Sequence, residues 1–185
     1  MFNAELENLK GSSRNYTVAE IEEIIKAIPG GEEILGSAPG GIHFDSAKGA
    51  YYNPRTRSIH LNKTIAPTLR AAVGIVGHEL GHSLAHQKGY FQGSLKMSRS
   101  QYIQTSLNNE GYAEMMSGLI RLDLRKAGYG GLIQTRGITS SVVKWGVSYD
   151  SAITKLADWV GRQRTSTTGE NYKDYYGGFW DKYNN

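Results

Sequence analysis

Apolar residues recur every three or four positions through the segment 67–87, which is the spacing of a helix that buries one side. On such a helix these residues fall on one face, whereas His78 and His82 fall on the opposite face. The pattern therefore predicts a helix, which we call the motif helix. One of its faces is expected to pack into a hydrophobic core, and the opposite face to carry the reactive histidines. The apolar residues of this stripe are Leu69, Val73, Val76, Leu80 and Leu84.

The remaining pattern predicts a small sheet before the motif helix and further helices after it. The predicted strands lie near 41–45, 49–52 and 56–61, and the other predicted helices lie near 17–28, 31–36, 98–107, 109–127 and 151–162. We call the helix near 109–127 the glutamate helix, for which Asn108 or Asn109 is a plausible N-cap. The segment 132–148 shows no clear period. The predicted fold class is α+β, with a small twisted sheet packed on the motif helix and the glutamate helix and a mostly helical C-terminal part.

The length of 185 residues, with 39% hydrophobic and 21% charged residues, is typical of one globular domain. We expect a single domain over residues 1–185, with a helical N-terminal extension over 1–40 and an aromatic C-terminal tail over 165–185. The aromatic residues of the tail are expected to pack it onto the domain, with a substrate-facing surface as the alternative. These residues are Tyr172, Tyr175, Tyr176, Phe179, Trp180 and Tyr183.

Charge, hydrophobicity and cysteine content restrict the binding partners, the location and the metal ligands that the chain can have. The net charge of +4 is mild, and no nucleic-acid-binding motif accompanies the scattered basic residues, so we expect no nucleic-acid partner. No apolar run is long enough to span a membrane, and the N-terminal residues lack the pattern of a signal peptide. We therefore expect a protein that is secreted by a signal-peptide-independent route or is cytoplasmic. The absence of cysteine excludes disulfides and thiolate metal ligands.

The segment His78-Glu79-Leu80-Gly81-His82 has the spacing of the HExxH zinc-protease motif. Residues four apart on a helix lie about one turn apart on one face, so both imidazoles can bind the same metal ion. Glu79 is rotated by about 100° from His78, which places it at the border of the same cleft. That position suits a general base for a metal-bound water.

A catalytic zinc ion needs a third protein ligand and an open position for water. Glu110 and Glu114 are again four residues apart, so that one carboxylate can bind zinc and the other can hydrogen-bond a ligating histidine. Glu110 is the predicted ligand and Glu114 the predicted hydrogen-bonding partner, with the reverse assignment open. Lys88 stands where the extended HExxHxxGxxH pattern needs histidine, and His86 is one turn too far and is predicted as a rim or hydrogen-bonding residue.

Three glycines lie along one narrow strip of the motif helix, although glycine lowers helix stability by about 0.5–1 kcal/mol relative to alanine. They are Gly74, Gly77 and Gly81. The strip predicts the close approach of another element, for which the glutamate helix is the best candidate. That approach would bring Glu110 to the histidines.

Two histidines of an HExxH motif and a glutamate on a following helix resemble the gluzincin class of metallopeptidases, and its compact minigluzincins in particular. Residues 49–61 resemble the strand-turn-strand element of that group, which recurs in the catalytic domain of anthrax lethal factor and in bacterial effector zinc proteases. The motif followed by His86 also resembles, more distantly, the ImmA/IrrE regulatory proteases. Their Phe-Ala and Leu-Met-Pro continuation after the glutamate is missing here.

The resemblance implies a zincin-like fold and a zinc endopeptidase that holds one Zn²⁺ per chain and acts on a protein or peptide. In related enzymes a tyrosine or histidine stabilises the anionic tetrahedral intermediate. Tyr102 is the predicted residue for this role, with Tyr112, His60 and the aromatic tail left open. The strand near 56–61 is expected to pair with an extended substrate.

The strand element further implies a bacterial secreted effector or toxin domain that cleaves a specific protein, with a cognate immunity or inhibitor protein as a further partner. One alternative is a cytosolic regulatory protease of the ImmA/IrrE type that acts on a repressor. Another is a zinc-stabilised binding module with weak or lost catalysis. The presence of Glu79 disfavours the binding module, because a degenerate site often loses its base first.

Overall fold

A computed structural model describes residues 15–46, 49–129, 148–165 and 168–184 of the chain. The described strands are β1 (Ile42–Phe44), β2 (Tyr51–Asn53) and β3 (Ser58–Leu61). The described α-helices are α1 (Val18–Lys26), α2 (Gly31–Gly36), α3 (Leu69–Gln87), α4 (Arg99–Leu124), α5 (Tyr149–Val160) and α6 (Tyr172–Asn184). The architecture is therefore α+β and mostly helical, as the sequence predicts. The segment 132–148, which shows no clear period, lies outside the described residues except for its last position.

The three strands form one sheet in the order β1-β3-β2, in which β3 pairs parallel to β1 and antiparallel to β2. Ile59 in the centre of β3 pairs with Ile42 on one side and with Tyr52 on the other. The prediction that the strand near 56–61 pairs with a substrate is wrong, because both of its edges are already hydrogen-bonded within the sheet. Within the described residues, β2 is the edge strand on the side of the site described below.

Helix α3 is the predicted motif helix. Thr68 forms its N-cap and accepts a hydrogen bond from the backbone N–H of Ala71, which satisfies one of the free donors of the first turn. The predicted apolar stripe is buried, and Leu69, Val76 and Leu80 are fully inaccessible. The stripe from Leu69 to Leu80 packs into the core that also contains the sheet, so the opposite face of α3 is left for the histidines.

Helix α4 is one continuous helix of 26 residues, and the predicted break between 98–107 and 109–127 is wrong. Ser98 and Gln101 form a capping box at its start. Asn109, a suggested N-cap, lies inside the helix instead. The local signal is overridden by packing, because a Cβ built on Gly111 would lie 2.5 Å from the carbonyl oxygen of Ile153 on α5. Helix α5 thus lies directly against the segment where a break is predicted.

The N-terminal helix α1 belongs to the main core. Its buried residues Ile21, Ile24 and Ile25 share one hydrophobic cluster with Ile59 and Leu61 of β3. The same cluster includes the apolar stripe of α3 from Leu69 to Leu80 and the end of α4. The helical part of the predicted N-terminal extension therefore helps to position the motif helix.

The C-terminal helix α6 packs on the first half of α4. Trp180 donates its indole N–H to the carbonyl oxygen of Met97 at 3.0 Å, and the ring of Phe179 stacks on that of Tyr102 with centroids 6.3 Å apart. Phe179 and Trp180 thus dock the C-terminal tail, as the aromatic composition of the tail predicts. Among the described helices, none has the length and apolarity needed to cross a membrane.

Candidate metal centre

Helices α3 and α4 approach each other most closely at the glycine strip. A Cβ built on Gly81 would lie only 2.5 Å from the Cα atom of Ala113, and Ser117 donates its hydroxyl to the carbonyl oxygen of Gly74 at 3.4 Å. The predicted approach of the glutamate helix to this strip is confirmed. The polar face of α3 consequently lies opposite the glutamates of α4.

Three donor atoms converge where the two helices face each other. The Nε2 atoms of His78 and His82 are 3.1 Å apart, and Oε2 of Glu110 lies 3.2 Å from the first and 3.6 Å from the second. Ligand atoms bound at about 2.0–2.2 Å to a tetrahedral zinc ion are separated from one another by about 3.3–3.6 Å. The observed separations fit that arrangement, so these three residues can hold one metal ion.

Both imidazoles are oriented through their second ring nitrogen. Nδ1 of His82 is hydrogen-bonded to the side-chain oxygen of Asn109, whose amide group in turn donates to the carbonyl oxygen of Phe91. Nδ1 of His78 lies 3.3 Å from Oε1 of Glu114. Acceptors at Nδ1 favour the tautomer that leaves each Nε2 lone pair available for a metal.

The second oxygen of Glu110 also has a partner. The hydroxyl of Tyr176, on α6, donates to Oε1 of Glu110 at 2.6 Å, while Oε2 is the oxygen that faces the histidines. Burial raises the pKa of the Tyr176 hydroxyl well above its usual range, and the neighbouring Glu110 carboxylate raises it further. Tyr176 therefore remains a proton donor at this position.

The electrostatics of the group favour a cation. Burial alone would raise the pKa of the Glu110 carboxyl, but His82 and His78 outweigh it and bring this pKa to about 2. Burial alone would lower the pKa of His78, but its contacts with Glu110 and Glu114 raise this pKa well above the usual value. The carboxylates thus attract positive charge, for which a proton and a metal ion compete.

The three donor atoms open onto a cavity of about 1250 Å³ between α3, α4, β2 and the C-terminal region. Glu79 lines the same cavity as His78 and is only 7% exposed. His86 also lines the cavity and is hydrogen-bonded through Nδ1 to the hydroxyl of Tyr52 at 2.9 Å, as expected of a hydrogen-bonding residue. The cavity is large enough for a segment of peptide chain beside the metal site.

Tyr102 is not among the residues that line this cavity. It precedes Glu110 by eight residues, which places it about 12 Å along the helix and rotates it by about 80° around the axis. Its ring packs against Phe179 instead. His60 also lies away from the cavity, hydrogen-bonded to Asp45 and Ser58 on the sheet.

Two residues of the site are not assigned a role from the sequence. Asn109 has the appearance of an N-cap, and it is rotated around the helix by about 100° from Glu110 and by about 140° from Glu114, so no shared face signals its contact with His82. Tyr176 is one of six aromatic residues in the tail, and no periodic pattern distinguishes it from the others. Its contact with Glu110 depends on how α6 docks.

Comparison with known proteins adds independent support to the metal site. A family model described as "putative neutral zinc metallopeptidase" matches residues 42–168, which is more than half of the chain. No curated protein and no solved structure matches the chain. The matched segment contains all of β1 to α5 and with them the His-His-Glu group that fits a single zinc ion. The chain therefore belongs to this family and is a zinc metallopeptidase.

Proposed function

We propose that the protein is a zinc endopeptidase of the gluzincin type, with a zincin-like fold and with His78, His82 and Glu110 as the metal ligands. The convergence of three donor atoms at mutual separations of 3.1–3.6 Å carries this proposal. Glu110 is preferred over Glu114 because its Oε2 faces both Nε2 atoms, whereas Glu114 lies beside Nδ1 of His78. Glu114 and Asn109 then orient the two histidines.

Bound zinc supplies Lewis acidity, which lowers the pKa of a water molecule to about 7 and polarises a substrate carbonyl. The carboxylate of Glu79 accepts one proton from the attacking water as the water oxygen bonds to the carbonyl carbon. Glu79 then delivers this proton to the departing nitrogen as the peptide C–N bond breaks, which yields an amine and a carboxylic acid that still holds the second proton of the water. The position of Glu79 on the cavity wall next to His78 supports this role.

An extended substrate would reach this site along β2. Tyr51 and Tyr52 of β2 and the following Pro54 line the cavity, and β2 pairs with β3 on only one described side. A peptide that adds to this edge would gain backbone hydrogen bonds without disturbing the sheet. Two tyrosine side chains on the cavity wall favour apolar or aromatic substrate side chains next to β2.

Glu79→Gln tests the mechanism. The substitution keeps the shape of the side chain but removes its basicity, so zinc content should remain at one per chain while hydrolysis of an unstructured protein such as casein falls by about 10²–10⁴-fold. Glu110→Ala tests the assignment of the metal ligand in the same way and should strongly reduce the zinc content. Full activity of Glu79→Gln, or full zinc content of Glu110→Ala, would contradict the assignment.

The biological role stays a prediction from the resemblance of residues 49–61. A secreted effector or toxin should cleave a small set of proteins in a target cell, whereas a regulatory protease of the ImmA/IrrE type should cleave a repressor of its own cell. Proteomic comparison of new protein ends in cells that express the active chain or Glu79→Gln would distinguish the two. A binding module that has lost catalysis would produce no new ends with either chain.

A further inference from the structure

We propose that Tyr176 is a positioning residue for the metal ligand Glu110, so that metal binding is coupled to the docking of helix α6 on α4. The inference rests on the proposed function, since it takes Glu110 as a ligand. It adds to the centre a segment that lies beyond the family match, which ends at residue 168, whereas α6 spans Tyr172–Asn184.

The inference rests on the different partners of the two carboxylate oxygens of Glu110. Oε2 faces the histidines, and Oε1 accepts the hydroxyl of Tyr176 at 2.6 Å. A hydrogen bond from a hydroxyl to a carboxylate at this distance is of the strong, charge-assisted kind. It fixes the rotation of a carboxylate that is only 6% exposed and leaves one oxygen for the metal. Without it, Oε1 would lose its donor within a buried site, which is costly.

Helix α6 is held in place far from the metal centre. Arg99 binds Asp181 with two hydrogen bonds of 2.8 and 3.1 Å, and Trp180 donates to the carbonyl oxygen of Met97. A Cβ built on Gly177 would lie 2.4 Å from a guanidinium nitrogen of Arg99, so the Arg99 side chain packs directly on that glycine. These contacts lie at the start of α4, whereas Tyr176 reaches Glu110 in its middle.

The geometry makes the coupling reciprocal. Docked α6 presents a hydroxyl that holds Glu110 in its ligating orientation, and a metal ion that fixes Glu110 in turn favours docked α6. The same helix closes one side of the cavity, because Tyr172, Tyr175 and Tyr176 all belong to its lining. Zinc should therefore reduce opening of α6 even though most of its anchoring contacts involve no metal ligand.

The first test compares Tyr176→Phe with Tyr183→Phe in the full chain. Tyr183 lies on the same helix, is 56% exposed and packs on Phe179. Tyr183→Phe therefore removes the same hydroxyl group from a tyrosine remote from Glu110 and is a matched control. Zinc affinity is measured by competition with a chelator, and the ligand field by the visible absorption of the Co²⁺-substituted protein. Tyr176→Phe should weaken zinc binding by about 10–100-fold and alter the Co²⁺ spectrum, and Tyr183→Phe should change neither.

The second test measures hydrogen exchange of the peptide that contains α6, with and without zinc. In the unmodified protein zinc should slow exchange of this peptide, and in Tyr176→Phe the effect of zinc should disappear. Asp181→Asn, which weakens an anchor remote from the metal, should accelerate exchange and also lower zinc affinity. Metal-free melting temperatures identify any variant that fails to fold, and the exchange comparison is then made with Asp181→Asn alone.

Two outcomes would overturn the inference. Unchanged zinc affinity in Tyr176→Phe, with or without a loss of kcat, would mean that the hydroxyl does not act through Glu110. Unchanged exchange of α6 upon zinc addition to the unmodified protein would remove the coupling. Failure of the proposed function is recognised separately, because Glu110→Ala would then retain its zinc whatever happens at Tyr176.

Discussion

Gly81→Ala should disrupt the metal centre although it adds a single methyl group. The built Cβ lies 2.5 Å from Cα of Ala113 and 3.0 Å from its carbonyl oxygen, and both are backbone atoms that no side-chain rotation can move. Restoring an ordinary contact of about 3.5 Å requires α3 and α4 to separate locally by about 1 Å. Overpacking of this kind costs about 1–3 kcal/mol, against which alanine returns up to about 1 kcal/mol of helix propensity.

Gly81→Ala should lower the zinc affinity more than it lowers the stability of the metal-free fold. Both helices carry proposed zinc ligands, and Gly81 directly precedes His82, so a separation of about 1 Å at this point moves the imidazole away from Glu110. Oε2 of Glu110 already lies 3.6 Å from Nε2 of His82, at the upper end of the tetrahedral range. We expect a loss of about 0–3 kcal/mol in the free energy of unfolding of the metal-free protein and a fall of at least tenfold in zinc affinity.

Gly77→Ala provides the matched control on the same glycine strip. A Cβ at Gly77 would meet its nearest neighbour, a methyl group of Ile120, at 3.7 Å, which is ordinary contact. This variant should keep its zinc affinity and gain up to about 1 kcal/mol in stability. Urea unfolding of the metal-free proteins and chelator competition measure the two quantities. Equal zinc affinity in the two variants would refute the claim that helix separation at Gly81 sets the ligand geometry.

Two further predictions concern the surroundings of the ligands. Asn109→Leu removes the hydrogen-bond acceptor at Nδ1 of His82 while keeping a side chain of similar volume. Zinc affinity, measured by chelator competition, should therefore fall by about 10–100-fold. An unchanged affinity would show that Asn109 does not orient the imidazole. The hydrogen bond and charge of Arg99 lower the pKa of the Asp181 carboxyl. This contact therefore stabilises docked α6 fully at pH values above the unfolded carboxyl pKa of about 3.9, and the stabilisation is lost as the pH falls through the pKa of the folded state. Hydrogen exchange of α6 should therefore show acid-induced loosening that Asp181→Asn lacks, and the same pH profile in both proteins would exclude this contact as the cause.

Sequence periodicity gives a good account of the motif helix. The apolar stripe, the histidine face and the glycine strip all follow from a repeat of 3.6 residues within one element, and the structure shows each of them. The strand positions were also predictable to within two or three residues. The order of the strands was not, since β3 between β1 and β2 depends on pairing that the local pattern does not encode.

The interior of α4 shows how packing overrides a local signal. Asn108, Asn109 and Gly111 together favour a helix start, yet α4 continues through them because α5 lies against Gly111 and Asn109 is bound to His82. Tertiary contacts thus supply the free energy that local propensity lacks. The same contacts turn Asn109 from a suggested cap into a partner of the metal site.

The sequence by itself determined the chemistry of this protein: two histidines one turn apart, a glutamate between them, and a pair of carboxylates on a later helix. These features are local, because spacing along one helix fixes which side chains share a face. Only the tertiary structure decided that Oε2 of Glu110 meets the two histidines and that Tyr176 reaches Oε1. Residues 66 positions apart meet only when helices have packed, and the packing is set by close contacts that no single segment contains.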